Sequence, residues 1–204
     1  MHPRVQELLA KGPQAEQRSI EWFELRGTML TASDVASALG KNHFKSAEAL
    51  LLDKCGYKKK EGPNANTQRG IDLEPMVRDL YDARTGSKTH EFGLEQHPVH
   101  KWLGGSVDGI TEDGILVEIK CPNKLCTKIP DYYFPQVQVL LDINNLEECD
   151  FVQYHQPTNE LKIIRVPRDR AWFEDALPKM KKFWDQVLYK REHGICEIDF
   201  FPSA

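Results

Sequence analysis

Gly105-Ser106-Val107-Asp108-Gly109-Ile110-Thr111, Glu112-Asp113-Gly114 and Ile115-Leu116-Val117-Glu118-Ile119-Lys120-Cys121-Pro122 form one continuous stretch. Two apolar runs around an Asp-Gly turn read as a β-hairpin. A loop from Glu112 to Gly114 sets Thr111 opposite Ile115, and therefore Asp108 opposite Glu118. Opposed residues on one face of a ribbon have Cβ atoms about 4.5–5.5 Å apart. Carboxylates that close repel one another and stay ionised only beside a cation. Oxygen ligands of this kind suit Mg²⁺ or Mn²⁺. Lys120 lies two residues past Glu118, so both side chains share a face while Val117 and Ile119 turn to the core. An ammonium there holds and polarises a water, or stabilises charge developing on a phosphate oxygen. The Ile119 carbonyl is a further candidate ligand. The ordinary alternative is an exposed strand whose Glu and Lys face solvent.

Around this hairpin the pattern alternates between helix and strand. Helices are expected over Val5–Lys11, Ala15–Arg26 and Ser46–Lys54, with another opening at Thr31-Ala32-Ser33-Asp34 and stopping at Gly40. Lys58 to Pro63 reads as a basic loop. From Ile71 to Arg84, Leu73, Met76, Val77, Leu80 and Tyr81 recur on one helical face, with Glu74 at its edge and Pro75 expected either in the first turn or at a kink. Strands follow over Thr89–Gln96, Trp102–Ile110 and Ile115–Lys120. A helix over Tyr132–Leu141, a hairpin of Cys149–His155 with Leu161–Val166, and a final helix from Asp169 to about Lys190 complete the chain. Helices before and after a mixed sheet mean α/β or α+β.

The chain has 204 residues, 40% of them hydrophobic and 28% charged, which suits one domain with a real core. Lys and Arg number 27 against 31 Asp and Glu, a net charge of −4. That excludes a protein that coats nucleic acid by bulk charge alone, but not an enzyme whose acidic metal site offsets a basic groove. No apolar run is long enough for a bilayer span, and the N-terminus lacks a signal-peptide core, so an intracellular, non-secreted protein is expected. Cys55, Cys121, Cys126, Cys149 and Cys196 read as reduced thiols; no partner pair completes a zinc site with Cys121 and Cys126.

Taken with its neighbours, the Asp…Glu-x-Lys arrangement resembles the PD-(D/E)XK nuclease superfamily and, more narrowly, the phage lambda exonuclease and YqaJ-like viral recombinase family. Four motifs stand in family order: Trp22-x-x-x-Arg26 with Thr31-Ala32-Ser33; Gly70-x-x-x-Glu74; Ser106-x-Asp108-Gly109 with Glu118-Ile119-Lys120-Cys121-Pro122; and Gln136-Val137-Gln138. The resemblance implies an α/β fold with a restriction-endonuclease-like core, a central mixed β-sheet flanked by helices. It implies that Asp108, Glu118 and the Ile119 carbonyl bind Mg²⁺ or Mn²⁺, two ions per site, with Glu74 serving the second position. Lys120 would activate the attacking water, and Gln136 would close the site. Arg26, Thr31, Ser33 and Ser106 fall in the motifs that contact DNA phosphates. The implied activity is 5′→3′ exonucleolytic digestion of double-stranded DNA ends, leaving 3′ overhangs for recombination or end processing. A homotrimeric ring and a single-strand annealing protein are the implied partners. An endonuclease on the same core, and a non-catalytic DNA-binding recombination partner, are the alternatives. The proline often found before the first Asp is Val107 here.

Beyond these motifs, Lys54 to Lys60, Lys124 with Lys128, Arg165 to Arg170 and Lys179 to Arg191 are basic clusters suited to a DNA channel or to plain solvation. Trp172, Phe173, Phe183 and Trp184 fall at helical spacing and read as core. Tyr132-Tyr133-Phe134, beside Gln136, reads as either core or substrate-facing. His90, His97 and His100 lack metal-ligand spacing.

Overall fold

The computed structural model describes residues 1–12, 17–57 and 64–194. Ala15 and Glu16 of the second expected helix, the basic loop from Lys58 to Pro63 and Cys196 lie outside the described residues. The chain opens with α1 (Pro3–Ala10), α2 (Ile20–Gly27), β1 (Leu30–Thr31), α3 (Ala32–Ala38), α4 (Ala47–Lys54) and α5 (Ala65–Thr85). Five short strands follow: β2 (Thr89–His90), β3 (Leu94–Gln96), β4 (Leu103–Ser106), β5 (Gly109–Thr111) and β6 (Leu116–Lys120). Then come α6 (Phe134–Asn144), β7 (Glu148–His155), β8 (Glu160–Pro167) and α7 (Arg170–His193).

The hairpin over residues 109–117 forms in the expected register. Gly109 pairs with Val117 and Ile110 with Leu116, and the Thr111 N–H donates to the Ile115 carbonyl at 2.9 Å. The strands expected over Thr89–Gln96 and Trp102–Ile110, however, are each broken in two. Thr89 pairs with Thr111 and His90 with Ile110, whereas Leu94 pairs with Ser106 and Gln96 with Gly104. One register runs through both halves, so no residue is inserted; both arms simply leave the ladder at the same level, at residues 91–93 and 107–108. The halves join different sheets. β4 lies between β1 and β3, while β5 lies in the order β2-β5-β6-β7-β8. The expected single central sheet is therefore two mixed sheets, because the bend lets each end of the hairpin pack against a different set of helices.

Strand alternation then divides the five-stranded sheet between two cores. Val117 and Ile119 face α5, where they meet Val77, Tyr81, Val152 and Tyr154. Leu116, Cys149 and Phe151 face the larger core, built from Val35 of α3, Leu50 of α4, Val137, Leu140 and Leu141 of α6, and Phe173, Met180 and Trp184 of α7. Of the α7 aromatic residues read as core from their spacing, Phe173, Phe183 and Trp184 are buried, and Trp172 packs half-buried against them. β6, α6 and β7 form a crossover unit in which β6 and β7 run parallel. The result is an α/β molecule whose mixed sheets are flanked by helices.

Two expectations about α5 need correction. The helix starts at Ala65, where the Asn64 side chain accepts the Thr67 N–H at 2.9 Å, so Pro75 lies inside it and not in its first turn. The asparagine is a strong N-cap, and the helix continues past a proline that removes one ladder donor. Its buried face is also narrower than the apolar pattern suggested. Val77, Arg78 and Tyr81 are buried, whereas Met76 and Leu80 keep 39% and 41% of their surface exposed. The patch of sheet beneath α5 is small, and a buried arginine occupies part of it.

Gly105 marks a tight junction between helices and sheet. A Cβ there would meet Leu140 Cδ2 at 2.6 Å and Ala32 Cβ at 3.0 Å, at the meeting of β4, α3 and α6. Gly105→Ala is expected to destabilise the fold by about 1–3 kcal/mol, read as a lowered midpoint in chemical denaturation. An unchanged midpoint would show that the junction yields freely.

Candidate active site

The bend in the hairpin exposes backbone groups that side chains then satisfy. Gln17 Nε2 donates to the carbonyls of Phe92 and Val107, both at 3.2 Å, one on each broken arm. Arg78 Nη1 donates to the Asp108 carbonyl at 2.7 Å. The Asp108 side chain turns inward, and its Oδ2 accepts the Ile119 N–H at 2.7 Å, a bond that extends the β5–β6 pairing by one step. Gly109 is required beside it, since a Cβ would lie 2.2 Å from Thr89 Cγ2.

Glu118 occupies the middle of β6 and is only 1% exposed. The solvated-strand alternative is thereby overturned. Its Oε1 accepts from Lys120 Nζ and, at 2.6 Å, from Gln136 Nε2 on α6. Its Oε2 is buried with no hydrogen-bond partner. Burial, reinforced by the charge of Asp108, pushes the Glu118 carboxyl up to about 8. Burial opposes the charge on Lys120, but Glu118 and Asp108 outweigh it and hold the ammonium above its ordinary range. That ammonium also lies 5.2 Å from the centre of the Tyr133 ring, a cation–π contact.

Glu74 approaches from α5. Its Oε2 accepts from Arg18 Nη2 at 2.9 Å, and Arg78 Nη1 lies 3.9 Å from Oε1. Burial and the charge of Asp108 raise its pKa above the ordinary glutamate value. Since α5 begins at Ala65, Glu74 is no dipole partner of a first turn. Three carboxylates thus press on one another electrostatically. Among the described residues no three His, Cys, Asp or Glu side chains already converge as a metal cage; Glu118 is engaged by Lys120 and Gln136, and Glu74 by Arg18. The orphaned Oε2 of Glu118 and this all-oxygen donor set fit a hard divalent cation.

The residues expected at phosphate come together in a second group. The Arg26 guanidinium lies 4.3 Å from the centre of the Trp22 ring. Its Nη2 donates to Thr31 Oγ1 at 3.2 Å and to Ser33 Oγ at 3.0 Å. Trp22 Nε1 donates to Ser106 Oγ at 3.0 Å. Thr31, not Ser33, holds the N-cap position of α3, and it makes no side-chain cap bond; its hydroxyl donates instead to Asp34 Oδ2 at 2.7 Å. Ser33 sits two residues further, inside a seven-residue helix too short for a large dipole.

Several residues of the basic clusters are internal ties. Lys54 pairs with Asp34 at 2.9 Å and donates to the carbonyls of Arg26 and Met29. Arg165 grips Asp150 and Glu148, Arg168 grips Asp142, and Arg170 pairs with Glu147. Lys124 and Lys128 remain exposed. His97 is buried and hydrogen-bonds Asp142 at 2.9 Å, so it belongs to the core. Cys55, Cys121, Cys126 and Cys149 are free thiols. Sequence reasoning missed Arg78, Arg18 and Gln17. Arg78 had a signal, four residues after Glu74 on one helix; Arg18 and Gln17 had none, since only the bent hairpin brings them near.

The YqaJ-like viral recombinase domain model matches residues 21–147. An uncharacterized protein of Acanthamoeba polyphaga mimivirus, R354, is 32% identical over 170 residues, covering 72% of this chain and 30% of that protein. Protein D345L of African swine fever virus is 28% identical over 156 residues, covering 60% of this chain and 45% of that protein. This chain therefore spans less than half the length of either viral relative. Among solved structures, an alkaline exonuclease from Laribacter hongkongensis superposes with a TM-score of 0.74 at 29% identity, covering 86% of this chain and 95% of that one.

The raised Glu118 carboxyl has a testable sign. Unfolded, the group titrates near its ordinary value, so between about pH 4.5 and 8 the folded state holds a proton that the unfolded state has released. Metal-free wild type is expected to lose stability relative to Glu118→Gln as pH rises through that window, and to level off above it. Urea denaturation in chelator at pH 5.5 and 8.5 measures this; a pH-independent difference would contradict the assigned environment.

Proposed function

The chain belongs to the YqaJ-like viral recombinase domain family, and on that premise we propose that its 204 residues act as one metal-dependent DNA exonuclease domain working on double-stranded ends. The observation that carries this is Glu118: a carboxylate buried in the sheet, held through one oxygen by Lys120 and Gln136, its other oxygen without a partner, with Asp108 and Glu74 beside it. The likeness to an alkaline exonuclease supports an exonuclease over an endonuclease or a non-catalytic binding partner.

Glu74, Asp108, Glu118 and the Ile119 carbonyl would hold the divalent metal, Mg²⁺ or Mn²⁺, as one or two ions. When bound, such ions polarise the scissile phosphate and make water a nucleophile near neutral pH. The chain's own groups do the rest. Lys120 keeps its proton, so it acts by holding the attacking water and by stabilising the negative charge that grows on a non-bridging oxygen. Gln136 orients Glu118 by donating to Oε1, and the Tyr133 ring fixes the direction of the ammonium. Arg26 supplies a forked cation to a phosphate, with Thr31, Ser33 and Ser106 offering hydroxyls around it. Ser106 stands two residues before Asp108, so a phosphate seated there holds the strand at a set distance from the carboxylates.

Digestion from the 5′ end with a 3′ overhang follows from the family reading. So do a homotrimeric ring around the duplex and a single-strand annealing protein as partner.

With Mg²⁺, a linear 5′-phosphorylated duplex is expected to be degraded and a covalently closed circle left intact. Lys120→Ala should lower the rate by about 10²–10⁴-fold, and Arg26→Ala should abolish any preference for 5′-phosphate over 5′-hydroxyl ends. Cleavage of the circle would favour the endonuclease. A wild type inert with every divalent metal would favour the binding module.

A further inference from the structure

Lys120 begins a ladder of rings that leads out of the site. Its ammonium lies against Tyr133, whose ring packs on buried Phe151 at 5.5 Å and on Tyr132 at 4.5 Å. Tyr132 meets His43 at 4.9 Å and Phe44 at 5.5 Å, both nearly perpendicular, and His43 lies 3.9 Å from Phe44. The ladder is anchored in the core at one end and open at the other, where Phe44 keeps 74% of its surface exposed.

That exposure is built and held. Asn42 Oδ1 accepts the Phe44 N–H at 2.9 Å, while Asn42 Nδ2 donates to Ser37 Oγ at 3.0 Å, tying the loop to α3. Lys45 is fixed to Asp53 at 2.5 Å. His43 and Phe44 are exposed and Tyr132 is half-buried, so the three touching rings present a contiguous aromatic surface held by an ordered loop, and a patch of that kind marks a contact surface. The loop from Gly40 to Ser46 carries Lys41 and Lys45 and no acidic residue. Exposed rings beside Lys41, continuous with the proposed phosphodiester-cleaving site, match one ligand chemistry: a nucleobase attached to a polyanionic backbone.

We infer that His43, Phe44 and Tyr132 form a stacking platform for an unpaired nucleobase of the DNA held at the Lys120 site, an inference that rests on the nuclease reading above. Stacking on the platform keeps that base out of its duplex and steadies the adjoining phosphodiester. Phe44 supplies the ring face, and Tyr132 buttresses it.

The test removes the base and the ring separately. Abasic residues are placed singly at the four nucleotides nearest a duplex end, and digestion rates are compared for wild type, Phe44→Ala, Phe44→Leu and Phe44→Trp. At one of those positions the abasic substitution should slow wild type by roughly 5- to 100-fold, the range of aromatic–base stacking. Phe44→Ala and Phe44→Leu should be slow on intact DNA and nearly indifferent to the missing base, and Phe44→Trp should behave as wild type. A 2-aminopurine at the same position should be quenched by wild type and not by Phe44→Ala, even with metal chelated, which reads stacking without turnover. Equal abasic responses in wild type and Phe44→Ala, or equal quenching, overturns the platform. Wild type that digests no DNA but still quenches would sink the nuclease reading and leave the platform standing.

Discussion

A buried carboxylate governs the centre of this molecule. Glu118 stands where a parallel pair of strands would be more stable with valine or leucine, and burying an unpaired charge there costs several kcal/mol. The surroundings answer that cost piece by piece. Lys120 comes from the same strand two residues on, Gln136 from the first turns of α6, and both reach the same oxygen. Tyr133 holds the ammonium in place, and Phe151 holds Tyr133. What remains unanswered is Oε2, and the proximity of Asp108 and Glu74 makes the deficit larger. A sheet that only needed stability would not gather these groups; the arrangement makes sense with positive charge added to it.

The bent hairpin is what brings the second group of residues to the first. Because β4 and β5 belong to different sheets, Ser106 ends one and Asp108 precedes the other, with buried Val107 pinned between them. Ser106 is reached by the Trp22 indole, which carries Arg26 on its face; Asp108 is reached by Arg78 and the Ile119 N–H. Each group is thus braced by its own helix, α2 or α5, while a stretch of three residues fixes their spacing. Distance between an anchored phosphate and the acidic cluster is a property of the backbone here, not of flexible side chains.

The hairpin register was legible because a short turn leaves the chain few ways to pair, and it set the pairs as far as Gly109 with Val117 and the shared face of Glu118 and Lys120; Asp108, expected opposite Glu118, leaves the ladder and accepts the Ile119 N–H instead. The helix starts expected at Ser46 and Asp169 fall on the N-caps of α4 and α7, whose side chains accept the Ala49 and Trp172 N–H groups. The bend at Val107 was not legible: no proline or bulge marks it, and it depends on where α3, α6 and α5 pack. The start of α5 was misplaced, since the helix begins at Ala65 and runs on through Pro75. The four phosphate-facing candidates were legible only as motifs. Their shared network required residues 26, 31, 33 and 106 to be seen in space, as did the role of Gln17 in capping the break.

Charge follows the same logic. The net of −4 counts three carboxylates that belong to one site, so the rest of the molecule is nearly balanced. Yet among the described residues four of the clustered cations, Lys54, Arg165, Arg168 and Arg170, are engaged by acidic partners or backbone carbonyls. On the proposed reading, affinity for DNA must then come from a few placed contacts, a forked arginine with its hydroxyls, a site that takes cations, and open ring faces. Contacts of that kind release few counterions, so they confer a shallow dependence on salt compared with a charged groove. They also demand a strand that can enter and turn, which an end supplies and an uninterrupted duplex does not. On the proposed reading, a preference for ends is in keeping with contacts placed in this way.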